Sequence, residues 1–339
     1  TASVPAGIGV ALFALVSARF LLGAGESVMY PSSNRWLADW MPTRERGLAN
    51  GIIFAGVGAG AAFTPPIIAS IMVTYGWRVS FHVCAVLGVA GGIVWYALAR
   101  NQPQQHPGVS RAELELIETG IEGRDTTKAS RLPWSVLLSS KDVWGITLSY
   151  FCYGYVAYIF FSWFFIYLTT VRGLNLKSGS YYATLPFIAM SVCSAMGGLI
   201  SDAVSRRFGR RWGRCGVAFF GLGLATIFVA LGSSAHSARM ASVILAGGAG
   251  ALYLSQSSYW SVSADLGGSS SGAVSGVMNM GAQTGSAITA AFTPLIADHI
   301  GWTASFLVAA GFCALGALAW LMVNPDNRLK APGAAAASH

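Results

Sequence analysis

The chain has 339 residues, of which 54% are hydrophobic and 10% charged, with a mean hydropathy of +0.56. Soluble domains carry about 25% charged residues because their surface faces water, so this composition excludes an ordinary soluble fold. The formal charge of +8 calls for no nucleic-acid partner, because its placement along the chain reads as membrane topology.

The first predicted span, 7–30, is apolar apart from Arg19 and Glu26. Spans 51–76 and 79–99 follow, each free of Lys, Arg, Asp and Glu. A polar stretch, 100–141, separates them from 143–171, 178–201, 215–238, 240–264, 266–297 and 299–325. Each reaches the roughly 20 residues a helix needs to cross a bilayer about 30 Å thick. The 41 glycines suit close helix–helix approach in lipid. The five cysteines show no metal-ligand or redox spacing and read as packing residues.

With the N-terminus outside, alternate loops separate the basic residues. One side receives Arg35, Arg44 and Arg46, the basic residues of 100–141, the cluster Arg206, Arg207, Arg210, Arg211 and Arg214, then Arg328 and Lys330. The other receives Arg78, Arg172, Lys177 and Arg239. The positive-inside rule makes the first side cytoplasmic.

A repeat organises the spans. AAFTP at 61–65 is followed by GWRVSF at 76–81, and AAFTP at 290–294 by GWTASF at 301–306. Two matches in order at similar separation indicate a duplicated helix pair. Four spans precede the second copy within its half and one precedes the first, so equivalent halves imply a first half short of three spans. The expected architecture is all-α: nine of twelve transmembrane helices, equivalent to helices 4–12 of two parallel six-helix halves, as in the major facilitator fold. The expected divisions are 1–100 (three spans of the first half), 101–141 (cytoplasmic connection), 142–325 (second half) and 326–339 (cytoplasmic tail). Ser110 and Glu113 form an S-x-x-E capping box ahead of a short surface helix in the connection.

Arg19 and Glu26 are the most informative polar residues, since each ionised side chain at membrane depth costs about 2.5–3.5 kcal/mol. Seven positions apart, they share a helix face about 10 Å apart along the axis. In the functional reading Arg19 binds a substrate carboxylate through its guanidinium fork and Glu26 exchanges a proton. The competing reading is a buried ion network that fixes packing. The aromatic run 150–163, with Tyr153, Tyr155 and Tyr158, suits either a cavity wall or core packing. SQSSYWS at 255–261, with Ser257 and Trp260, suits a cavity lining or interhelical hydrogen bonding. Asn279 and Gln283, at i and i+4, can reach one cavity. At 197–211 Asp202 ends a span and Arg206, Arg207 and Arg210 follow: a gating latch in which Asp202 pairs with an arginine, or a generic basic loop. Asp265 ends a later span and joins the same cytoplasmic network. No P-loop, HExxH, nucleophile elbow or metal-spaced set is present, so no enzyme, metal or cofactor is expected.

RFLLGAGE at 19–26 resembles the fourth-helix R-x3-G-x-G motif of major facilitator transporters. Followed by YPSSNRWLADWMPTRERGLANG at 30–51, it resembles their anion:cation symporter branch, which includes galactonate, glucarate, hexuronate and phthalate transporters. HPGVSRAELELI, YFCYGYVAYIFFSWFFIYL, the GGLISD…RRFGRR loop and DLGGSSSGAVSGVMNMGAQTG fit the same branch. The resemblance implies substrate binding at Arg19, proton coupling at Glu26 and cavity roles around Ser257, Trp260 and Asn279. The expected protein is a monomer in a bacterial inner membrane. It carries a small organic anion, a sugar acid or other carboxylate, by proton symport driven by the proton gradient and alternating access. An antiporter or facilitator of the same anions, or a non-transporting sensor on this fold, are the alternatives.

Overall fold

A computed structural model describes residues 6–121 and 132–329; Arg124, Lys128, Arg131 and Lys330 of the basic side lie outside the described residues. α1 (Ala6–Ser27) and α2 (Met29–Trp40) make the first pass, followed by α3 (Arg46–Tyr75) and α4 (Trp77–Leu98). The connection carries α5 (Arg111–Gly120) and α6 (Trp134–Ser139). α7 (Lys141–Ser162) continues through α8 (Phe164–Ile166) and a π-helical turn, Tyr167–Val171. Then come α9 (Leu176–Phe208), a π-helical segment Arg211–Gly216 that opens into α10 (Val217–Ser233), α11 (Ala238–Leu254), α12 (Gln256–Gly267), α13 (Ser271–His299) and α14 (Trp302–Ala319). Among the described residues there is no strand.

Eight helical segments among the described residues are long and apolar enough to cross a membrane. The longest, Ala238–His299, has 62 residues, which as one straight helix would reach about 90 Å, three bilayer thicknesses. Gly268, at φ +50°, turns the chain inside it, so α11–α12 and α13 are separate passes. Helices suit this solvent because they satisfy their backbone groups internally.

The duplicated pair is visible in the backbone. Gly76 joins α3 to α4 at φ 84°, ψ 159°, and Gly301 joins α13 to α14 at φ 108°, ψ 160°. This region is open in practice only to glycine, which accounts for the residue before each Trp. The passes before each pair also match, since α1–α2 bends at Val28, α11–α12 bends at Ser255, and both end in a 12-residue segment.

The two groups of helices, α1–α4 and α7–α14, are packed differently. α7 lies against α13 and α14, α9 against α11, and α10 against α11 and α14, giving one core around Ile146, Leu222, Leu252 and Ala309. α1 contacts chiefly α2, and α4 chiefly α3, so both present apolar side chains outward along most of their length. The groups meet along α3 and α9, which run antiparallel. Ser191 Oγ donates to Ala55 O at 2.7 Å and Ser194 Oγ to Gly51 O at 3.2 Å. A Cβ on Gly51 would stand 2.7 Å from Ser194 O, so this approach needs glycine. In the connection, Ser110 Oγ accepts from Glu113 N at 3.2 Å and caps α5. Trp36 and Trp40 donate to Arg100 O at 2.8 and 3.1 Å, fixing the start of the connection to α2.

Candidate functional site at the seam between the helix groups

The seam has a charged layer at the basic end and an aromatic layer deeper in. In the first, Asp202 near the end of α9 meets the start of α3. Its Oδ1 accepts from Gly47 N at 3.1 Å and its Oδ2 from Leu48 N at 2.6 Å. These are first-turn amides with no partner inside their own helix, and a carboxylate there also meets the positive end of the helix dipole. Arg214 Nη1 donates to Asp202 Oδ1 at 2.6 Å and to Ser201 Oγ at 3.0 Å, while Nη2 donates to Thr43 O at 3.2 Å. Arg214 is 1% exposed. Beside this lock, Arg46 Nη1 donates to Asp265 Oδ1 at 2.9 Å and Nη2 to Ala38 O at 3.0 Å. Asn34 Nδ2 donates to Ser263 Oγ at 3.0 Å and Asn50 Nδ2 to Ser261 Oγ at 3.5 Å. Every one of these links between residues 34–50 and 201–265 joins the two groups.

The ion pair at Asp202 therefore uses a different arginine from those singled out in the sequence. Arg206 and Arg207 are exposed, Arg207 lying over the Phe208 ring, and Arg210 bonds Asp326 at 2.9 Å. The chain reverses at Gly209, at φ 87°, and the π-helical segment Arg211–Gly216 that follows carries Arg214 beside α9, with Gly213 packed on Ser205. Asp265 does belong to the same network, through Arg46. Asp142 ties the chain end to this layer, accepting from Asn324 N at 2.7 Å and Asn327 Nδ2 at 3.2 Å.

The aromatic layer is built from Tyr30 on α2, Phe54 on α3, Tyr150 and Tyr153 on α7 and Trp260 on α12. Tyr30 stacks on Phe54 with centroids 5.5 Å apart, and Trp260 lies 5.7 Å from Tyr30, 5.6 Å from Phe54 and 6.1 Å from Tyr150. Trp260 Nε1 and Gln256 Nε2 both donate to Tyr150 Oη, at 3.2 and 2.9 Å. Gln256 Oε1, Ser257 Oγ and Ser258 Oγ are buried without a partner.

The proposed substrate residues are not gathered in one place. Trp260 and Ser257 belong to the aromatic layer and its border. Tyr155 does not: it is 2% exposed and stacks on Phe312 of α14, centroids 4.2 Å apart. Five residues of helix rotate it about 140° from Tyr150, so Tyr150 and Tyr153 face the seam in its stead. Asn279 is buried and Gln283, one turn on, is exposed; neither is hydrogen-bonded to a described residue. Arg19 and Glu26 are exposed on α1 and form no ion pair or hydrogen bond with a described residue. Glu26 stands four residues before Tyr30, above the aromatic layer, so the expected buried pair is an open one. Among the described residues no group of His, Cys, Asp and Glu could hold a metal ion.

The sequence matches the Major Facilitator Superfamily over residues 1–277 and again over 266–338. It is 30% identical to a protein of Cupriavidus necator named a probable sulfoacetate transporter, over 98% of this chain and 77% of that one. It is 28% identical to a probable chloroplastic anion transporter of Oryza sativa, covering 97% and 62%. With the hexuronate transporter of Bacillus subtilis it shares 27% identity, covering 90% and 71%. The chain thus spans between 62% and 77% of the length of these relatives. With its run of apolar passes and this match along the whole sequence, the chain belongs to the Major Facilitator Superfamily, as an integral, multi-pass membrane protein of a family of transporters and not of enzymes.

Proposed function

We propose that this chain moves a small organic anion across a membrane by alternating access, with proton symport as the coupling mode. The observation that carries the reading is the contrast along α1–α3. The two helix groups are joined at the basic end by the buried Arg46–Asp265 pair and by backbone bonds to the Asp202–Arg214 pair, while α1, which carries Arg19 and Glu26, is exposed along most of its length. In this reading the basic end is cytoplasmic, and the state seen is closed to the cytoplasm and open toward Arg19 and Glu26. Arg19 binds the carboxylate, Glu26 carries the proton, and Asn279 and Gln283 contribute polar contacts from α13. The names of the relatives support an acid as cargo, and the basic side supports the orientation. The protein acts as a monomer in a bacterial cytoplasmic membrane, with the proton gradient in place of a cofactor.

The lock is suited to opening. Arg46 Nε, Arg214 Nε and Asp265 Oδ2 are buried with no partner, and each such group carries a desolvation cost. Exposure to cytoplasmic water relieves that cost and offsets part of the lost ion pairing.

Uptake of labelled sugar acids by cells expressing the full-length protein, with and without a proton gradient, tests the reading. Glu26→Gln is expected to abolish gradient-driven accumulation while leaving counterflow exchange of the same acid. Accumulation at the unmutated level would remove Glu26 from the coupling. Accumulation indifferent to the gradient would favour a facilitator or antiporter.

A further inference from the structure

The connection between the helix groups ends in α6, whose faces divide by chemistry. Leu137 is buried in the core. Trp134 and Leu138, one turn apart, are exposed large apolar side chains. Ser135 and Ser139, each one position further on, line an open cleft of about 560 Å³ between α6, the start of α7 and the last described residues. Trp144 on α7 is exposed as well, and its indole donates to Leu138 O at 2.7 Å, which pins α6 across the foot of α7. Gly145, the next residue, packs against Met322 and Val323 at the end of α14, where Leu318, Leu321 and Met322 are exposed. The outward apolar surface of α14 therefore continues, through two tryptophans, onto α6. Tryptophan settles at the boundary between hydrocarbon and headgroups, which puts the cleft at headgroup level on the basic side.

The polar groups left open in the cleft are donors. Ser135 Oγ bonds no described residue and Lys141 forms no ion pair with one. Ser140 Oγ accepts from Val143 N at 3.4 Å, which leaves its own proton to donate. The one carboxylate in the lining, Asp142, is buried with both oxygens taken, by Asn324 N and Asn327 Nδ2. An ammonium headgroup therefore finds no open acid there, whereas a phosphodiester, whose free oxygens only accept, suits every open donor. Val136 and Leu329 give the cleft apolar walls. Donors without an apolar flank would suit free phosphate, and an apolar flank without donors would suit any lipid; here the two adjoin. We propose that the cleft binds one acidic glycerophospholipid of the cytoplasmic leaflet, its phosphate held by Lys141, Ser135 and Ser140 and its chains running along Trp134, Leu138 and Trp144. The site is built from α6, α7 and the end of the chain, so it stands apart from the seam and from the transport reading.

Phosphatidylglycerol and phosphatidylethanolamine with identical chains, each carrying a photoactivatable diazirine near the glycerol, test it. The full-length protein is reconstituted in phosphatidylcholine with a trace of either probe and illuminated, and the crosslinked residues are identified by mass spectrometry. Phosphatidylglycerol is expected to label 134–144 and 320–329 about fivefold more than phosphatidylethanolamine, the weight of one cation near the membrane surface. Lys141→Gln should erase that preference, and Ser135→Ala should reduce it. Trp134→Ala should lower labelling by both probes and leave their ratio intact. Arg207→Gln, on the exposed basic turn after α9, should change nothing at 134–144. Equal labelling of 134–144 by the two probes in the unmutated protein, or a preference that survives Lys141→Gln, would overturn the proposal. A preference abolished by Arg207→Gln would place the contact on the basic turn and overturn it too. Millimolar glycerol 3-phosphate is expected to leave the phosphatidylglycerol label in place; its loss would make the occupant a free phosphoester and not a lipid.

Discussion

Two kinds of charge sit in this protein's apolar helices, and they are treated in opposite ways. At the basic end Asp202, Arg214, Arg46 and Asp265 are buried: Arg46 pairs with Asp265 across the seam, and the Asp202–Arg214 pair, within one group, bonds backbone groups of the other. On α1 Arg19 and Glu26 are exposed and bonded to no described residue. A charge that the fold itself neutralises holds two helix groups together. The rest of α1 is as exposed as these two residues, and we propose that their partners are the transported anion and a proton. The first kind should therefore report on stability and conformation, and the second on transport.

The largest effect is expected at the lock. Asp202→Ala leaves Arg214 buried beside unpaired α3 amides, a loss of about 3–5 kcal/mol for a broken buried pair. It should lower the thermal unfolding midpoint in detergent and raise labelling, by a membrane-impermeant thiol reagent, of a cysteine introduced at the seam from the cytoplasmic side. An Asp202→Ala/Arg214→Met double variant should recover part of that stability; if it does not, the pair is not the source. Arg19→Ala should do the converse, with anion uptake falling by about 100-fold, roughly 2.7 kcal/mol, and the unfolding midpoint unchanged. A falling midpoint would mean that Arg19 is structural and would dissolve the contrast.

The repeated junctions give a smaller and more symmetrical test. Neither Gly76 nor Gly301 has any atom within 4 Å of the position a Cβ would take, so alanine there costs backbone strain alone, about 1–3 kcal/mol. The two substitutions should cost the same in a denaturation series, although α14 is packed and α4 is not. The smallest effect is expected for Arg206→Ala and Arg207→Ala. Both side chains are exposed, so changes within about 0.5 kcal/mol are expected, against the loss at Asp202.

The sequence alone determined the properties that depend on local composition. Apolar length located the passes, glycine before Trp marked both junctions, Ser110 marked the start of α5, and the AAFTP…GW words exposed the duplication. Each follows from the covalent neighbourhood: the free energy of a span in lipid is a sum over its own side chains, and φ near +90° is a property of one residue. The tertiary structure decided which charge meets which. Arg214 reaches Asp202 because the chain reverses at Gly209 and returns along α9, Asp202 reaches α3 because α9 runs antiparallel to it, and Tyr150 faces the seam because α7 lies against α13 at one particular rotation. Those pairings span more than a hundred residues in most cases, and a distance of a few ångströms between such groups is set by helix packing, which no local pattern encodes.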